Sequence, residues 1–143
     1  MPHDPALIAE TRGWLEKARD DLEASRRCLE DSPALCAVTA FLAQQAAEKV
    51  LKAFLTFHQK DFEKTHNLDE LGQQCVAVDG SLAGIAGRAA PLTRYAVEAR
   101  YPGPWGNPSE ADAKEALDLA RQVYNAVAPL LPAEARPTRL AAG

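Results

Sequence analysis

Chemically, the most unusual stretch of this sequence is Arg94-Tyr95-Ala96-Val97-Glu98-Ala99-Arg100-Tyr101, followed by the loop sequence PGPWGNP from Pro102 to Pro108. Arg94, Glu98 and Tyr101 recur at helical steps of four and three, which places them on roughly one face, with Arg100 displaced from it. A guanidinium offers a planar fork of donors that matches phosphate, and Tyr95, Tyr101 or Trp105 offers a ring on which a base can stack. The group therefore reads as a candidate nucleotide- or RNA-binding site made of Arg94, Tyr95, Glu98, Arg100, Tyr101 and Trp105. A plainer reading stands beside it. Arg94 and Glu98 form a helix salt bridge, and the tyrosines and Trp105 fasten the loop to the protein body.

Other candidates are fewer. His66, within KTHNLDEL, is one of three histidines. Asp69 and Glu70 are nearby, but no second histidine accompanies them in a zinc-like arrangement, so His66 reads as a turn histidine supporting the next helix, with a general base or ligand as the alternative. His3 and His58 have no partners in sequence. Glu48 and Lys52 are an i,i+4 pair that reads as an ordinary surface pair. Cys28, Cys36 and Cys75 are unclustered and show no metal-ligand spacing, so they read as small apolar residues. No metal and no cofactor is expected. The sequence has no Gly-rich phosphate loop, no GxSxG and no HExxH.

The elements that would position these residues are all helical. Residues 33–60, PALCAVTAFLAQQAAEKVLKAFLTFHQK, form the central helix, with Ser32 as its N-cap and Pro33 at its first position. Gln45, Glu48, Lys49, Lys52, Thr56 and Gln59 make one narrow polar stripe, and apolar residues cover most of the rest, which predicts neighbours on several sides. Val38 and Phe41 lie on the extension of that stripe. The first half is thus apolar nearly all round, and another helix or a second subunit should cover it. Before it, Pro5–Glu30 reads as a helix capped by Asp4, with Leu7, Trp14, Ala18, Leu22, Ser25 and Leu29 inward. After it, Asn67 caps a short helix through Leu68, Leu71 and Cys75. A fourth helix from Ser81 is divided by Pro91, its second piece running to about Tyr101. Ser109 caps the last helix, with Asp112 in a box-like position. Its inward stripe is Ala113, Ala116, Leu117, Ala120, Val123, Tyr124, Val127, Leu130 and Leu131. The pattern predicts an all-α, up-and-down antiparallel bundle of four to five helices, a single domain over residues 1–132 and a flexible C-terminal tail over 133–143.

Bulk properties agree with a globular protein. The chain is 47% hydrophobic, 25% charged and only 6% aromatic, so its core is aliphatic and alanine-rich. A net charge of −4 gives no sign of a bulk nucleic-acid or membrane binder, although a local basic patch is compatible with it. No apolar run approaches the ~20 residues of a transmembrane helix. A cytoplasmic location is expected.

Four blocks together resemble one family. They are Trp14, Leu15, Ala18, Asp21 and Leu22 in the first helix, Ala40–Leu55 (AFLAQQAAEKVLKAFL), Thr65–Leu71 (THNLDEL) and Arg94–Pro102 (RYAVEARYP). In this order they are similar to the HEPN family, for higher eukaryotes and prokaryotes nucleotide-binding. The resemblance implies a helical bundle that commonly forms homodimers and is associated with small nucleotidyltransferases, often encoded nearby. For many members it also implies a metal-independent RNase activity used in toxin–antitoxin or defence systems. Active members of the toxin branch carry Arg, four residues, His, one residue, Tyr. Arg94 and Tyr101 match that pattern, whereas Ala99 stands at the histidine position. In the family mechanism the Arg steadies phosphate charge and the His assists proton transfer; Tyr101 keeps the position that a partner transferase can nucleotidylate. The resemblance therefore implies a homodimeric nucleotidyltransferase partner that binds nucleotide or RNA with little or no cleavage. The alternatives are a weak RNase, in which His66 or another group replaces the missing histidine, and a helical module that serves only for assembly.

Overall fold

The structure, a computed structural model, describes residues 2–137. Helix α1 is Pro5–Asp31. It starts where the Asp4 side chain accepts the Ala6 N–H at 3.0 Å, with Pro5 in the first turn, where the missing N–H costs nothing. Its buried row is Ile8, Thr11, Leu15, Ala18, Leu22 and Ser25. This is turned slightly from the expected row: Leu7, Trp14 and Leu29 lie at its half-buried edge. α1 packs against both the central helix and the last one, so its seam points between them.

Helix α2 is Cys36–Phe57, and it begins three residues after the expected start. Ser32 is used by α1: its N–H closes the last turn on the Cys28 carbonyl at 2.9 Å. The Leu35 N–H then returns to the Ser32 carbonyl at 2.9 Å, so Pro33 and Ala34 form the hairpin turn, and Leu35 offers α2 no side-chain cap. In α2, Ala40, Ala43, Ala46, Ala47, Val50, Ala53 and Leu55 are all fully inaccessible. Alanine at so many contact positions lets neighbouring helices approach closely, and it loses no side-chain entropy on burial. Just beyond the end of α2, Gln59 with a φ of 55° turns the chain so that the Lys60 N–H reaches the Leu55 carbonyl at 2.9 Å.

Helix α3 is Leu68–Val78, capped by Asn67, whose side chain accepts from the Asp69 and Glu70 N–H groups. Leu68, Leu71, Gly72 and Cys75 are buried. A Cβ at Gly72 would meet Ala86 at 3.1 Å, so the glycine sets how closely the next helix, α4 (Ala83–Ala89), can approach. Burial pushes the Cys75 thiol up to about 12, in keeping with an inert apolar role. Pro91 divides the next stretch as expected. The chain runs as a 3₁₀ segment, Ala90–Arg94, and then as helix α5, Tyr95–Glu98. The helix therefore stops short of Tyr101.

Helix α6 is Glu110–Val127, opened by a reciprocal capping box between Ser109 and Asp112, each bond 3.0 Å. Its buried stripe follows expectation through Val127, but Tyr124 is half-buried and Leu130 is exposed. Pro129 lies in a 3₁₀ turn, Ala128–Leu130, which changes the period and turns Leu130 outward, while Leu131 is buried as expected. The part of the expected tail that is described, 133–137, packs on the body. Ala135 is fully buried, and the Arg12 guanidinium donates to the Glu134 carbonyl, from Nε at 2.9 Å. Residues 138–143 of that expected tail lie outside the described residues.

The architecture is thus an all-α bundle with α2 at its centre. α1 and α6 pack along α2, α3 and α5 also rest on it, and α4 lies against α3 and α6. Among the described residues there is no strand, and no helix is long and apolar enough to cross a membrane. Leu51, 3% exposed inside α2, tests this arrangement. Leu51→Ala is expected to lower unfolding stability by about 2–5 kcal/mol, read from a denaturant titration; a much smaller loss would place that face elsewhere.

Candidate functional site

The chain just beyond Pro91 has too few residues per helical segment to hold itself, so it is fixed by its neighbours. Leu92, Tyr95 and Ala96 are buried. The Thr93 hydroxyl accepts the Leu68 N–H at 2.9 Å, which satisfies an unpaired donor in the first turn of α3 and ties the two segments together. Arg94 then emerges, its side chain 55% exposed. Its Nη2 donates to the Tyr95 hydroxyl at 2.6 Å, and its Nε lies 3.9 Å from Glu98. The Tyr95 hydroxyl first, then the charges of Glu98 and Asp112, hold the Arg94 guanidinium above its already high range. Asp112, held below the usual carboxylate range by Ser109 and then by Arg94, brings the first turn of α6 to the same corner.

Tyr95 corrects the sequence reading. At 4% exposure its ring is a core residue and offers no stacking surface. Tyr101, by contrast, is 55% exposed; it lies just beyond the end of α5 at Glu98, its N–H still reaching the Val97 carbonyl at 3.1 Å. Its neighbour is Arg100. The Arg100 guanidinium lies 5.2 Å from the Tyr101 ring centre and 5.2 Å from that of Phe41 on α2, with its Nε bonded to the Ala96 carbonyl at 2.7 Å. The arginine expected to stand apart is therefore the one held between two rings. Trp105 donates from its indole to the Glu98 carbonyl at 3.0 Å, as the plainer reading anticipated, and still keeps 43% of its surface exposed. The ring lies over Gly103, where any Cβ would fall 2.3 Å from it, so only glycine permits this closure of the loop. Ala99, at the position where the family motif has histidine, is half-buried against the core.

A second cluster lies on α2 and was not visible in the sequence. Glu48 and Lys52, expected at the surface, are 3% and 8% exposed. Lys52 Nζ donates to Glu48 Oε2 at 3.0 Å. The other carboxylate oxygen faces Nδ1 of His66 at 2.7 Å and Nε2 of Gln44 at 3.2 Å. The same Gln44 amide donates to the His66 carbonyl at 3.2 Å, so the histidine is held at ring and backbone alike. Trp14 and Phe62 close over Lys52, whose ammonium is 5.5 and 5.7 Å from their ring centres. A polar stripe on a helix carries no mark of whether water or a loop covers it. The only hint was a charged pair on a helix otherwise buried all round. His3 and His58 belong to neither cluster; both make ring contacts with Phe57. Among the described residues, no three His, Cys, Asp or Glu side chains are grouped as a metal site requires.

With this geometry in place, comparison with known proteins is informative. The HEPN domain model matches residues 11–130. The crystal structure of an archaeal HEPN homologue superposes with a TM-score of 0.66 at 28% identity, covering 84% of this chain and 96% of the other. Comparison with curated proteins gave no match.

The buried cluster makes a stability prediction. Glu48→Leu leaves the Lys52 ammonium inside without its counter-charge, and this is expected to cost about 3–5 kcal/mol. A denaturation midpoint that stays at the wild-type value would mean that the carboxylate is not buried in solution.

Proposed function

The chain belongs to the HEPN domain family, and from that premise we propose that it is the dimeric partner of a small nucleotidyltransferase, of the toxin–antitoxin or defence type, which binds nucleotide or RNA with little or no cleavage. The observation that carries this reading is the corner where Arg94 and Arg100 stand exposed beside Tyr101 and Trp105. Guanidinium groups supply the phosphate contacts and exposed rings supply stacking. Arg94 and Tyr101 occupy two positions of the family's RNase motif. Ala99, at the third, can neither accept nor donate a proton. General acid–base catalysis typically contributes 10²–10⁴-fold, so cleavage without that group is weak at most.

Dimerisation is supported by the surface next to this corner. Leu35 and Val38 at the start of α2, and Val97 on α5, are 50%, 44% and 50% exposed, although each is a large apolar residue. Pairing two copies over this exposed start of α2 would bring two Arg94–Tyr101 corners into proximity. The arginines then form a cationic cleft on a chain whose net charge is −4.

The test is RNA binding and cutting by wild type, Arg94→Ala and Ala99→His, together with the solution mass from light scattering. Wild type is expected to be a dimer and to bind RNA in a salt-dependent way. Arg94→Ala is expected to weaken that binding at least several-fold, and Ala99→His to cut faster than wild type. Strong cutting by wild type, binding unchanged in Arg94→Ala, or a mass of one chain at micromolar concentration would overturn the corresponding part of the proposal.

A further inference from the structure

We infer that His66 is a sugar-reading residue: its Nε2 accepts a hydrogen bond from a ribose 2′-hydroxyl of an RNA strand that runs along α2 from Arg100. The inference rests on the proposed nucleotide- or RNA-binding role of the Arg94–Tyr101 corner. It adds to that role a contact on a different segment of the chain.

The first support is the state of the ring. A carboxylate only accepts hydrogen bonds, so the ring nitrogen 2.7 Å from Glu48 is the one that carries the hydrogen in the neutral imidazole. In that neutral form the lone pair is on Nε2. Glu48 is held in turn by Lys52 at 3.0 Å and Gln44 at 3.2 Å, and Gln44 also holds the His66 carbonyl. The carboxylate's side chain is 4% exposed while the imidazole's is 52% exposed. The arrangement is therefore a ring fixed in position by a buried polar network and open to solvent, and in its neutral form it presents a hydrogen-bond acceptor there. Burying an ion pair is not in itself a route to stability, whereas it is an effective way to fix one ring in one tautomer.

The second support is where the ring stands. Phe41 and Glu48 are seven residues apart on α2, which is two helical turns and about 10 Å, with almost no rotation between them. Arg100 lies over Phe41 and His66 over Glu48. A cation and an acceptor thus stand above one stripe of the same helix, with the half-buried Gln45 between them. The cation suits a phosphate. The lone pair, backed by a carboxylate, suits a hydroxyl. Phosphate and sugar alternate along a nucleic-acid strand, and the 2′-hydroxyl is the group that separates RNA from DNA. A free ribonucleotide carries the same two groups, so the experiment includes one.

The experiment measures binding of a short single-stranded RNA, the DNA of the same sequence, ATP and dATP by wild type, His66→Ala, His66→Asn and Arg94→Ala at fixed salt. Asn keeps an N–H near the position of Nδ1, and so keeps the bond to Glu48, but lacks the outward ring nitrogen. Wild type is expected to bind RNA about tenfold more tightly than DNA, the worth of one good hydrogen bond. His66→Ala and His66→Asn are expected to bind the two polymers equally, with DNA affinity unchanged. A polymer preference that survives His66→Ala, or that His66→Asn restores, overturns the inference, since the outward nitrogen would then be idle. Preference for ATP over dATP without a polymer preference overturns the assignment to a strand. Equal RNA and DNA binding by wild type, lost in Arg94→Ala, removes the sugar reader and leaves the proposed function standing; no binding of any probe removes both.

Discussion

A carboxylate leaves water only where its charge and its lone pairs are answered, and Glu48 is buried in the middle of the most buried helix of the chain. Each group that answers it comes with a piece of structure attached. Lys52 is one turn along α2, and its ammonium is covered by Trp14 of α1 and Phe62 of the loop that leaves α2. His66 belongs to the end of that same loop, directly before the cap of α3. The Leu68 N–H then passes the constraint to Thr93, and so to Arg94. One buried charge thus sets the distance from α1 to α2, the course of the connection to α3 and the base on which the arginine-bearing segment rests.

Much of this was legible in the sequence, because helix ends are local events. Asp4, Asn67 and the Ser109–Asp112 pair act as caps where their types and spacing said they would, and Pro91 breaks its helix. The departures have a common cause, which is that they depend on distant neighbours. Ser32 has the chemistry of a cap for either helix, and the closing turn of α1 takes it. The polar stripe of α2 looks the same under water as under Trp14 and Phe62, which lie far from it in sequence. Tyr95 is compatible with a surface or a core role, and packing in the bundle decides for the core. The described part of the C-terminal segment lacks periodicity, yet the Arg12 guanidinium holds it through a single carbonyl.

The candidate site was legible by type and less so by arrangement. Arg94, Arg100, Tyr101 and Trp105 all remain exposed in one region of the chain, but the pairing differs from the helical-wheel expectation. The wheel grouped Arg94 with Tyr101. In the structure the Tyr101 ring lies beside Arg100, while Arg94 is held by Tyr95, Glu98 and Asp112. The two arginines consequently have different characters. Arg100 is wedged between rings and fixed to a carbonyl, whereas Arg94 sits in an acidic corner from which an incoming phosphate would have to draw it.

The scarcity of aromatic side chains has a practical side. The chain has two tryptophans, and they lie in the two regions that matter most. Trp14 covers the Lys52 ammonium above the buried carboxylate, and Trp105 closes the loop beside the arginine corner over Gly103. One indole is half-buried beside a cation and the other is more open to solvent, so their emission should differ in colour and in access to a soluble quencher. Replacing either one with phenylalanine leaves a molecule with a single built-in optical reporter. The opening of the buried network and the occupation of the exposed corner can then be followed separately, without attaching a dye to either.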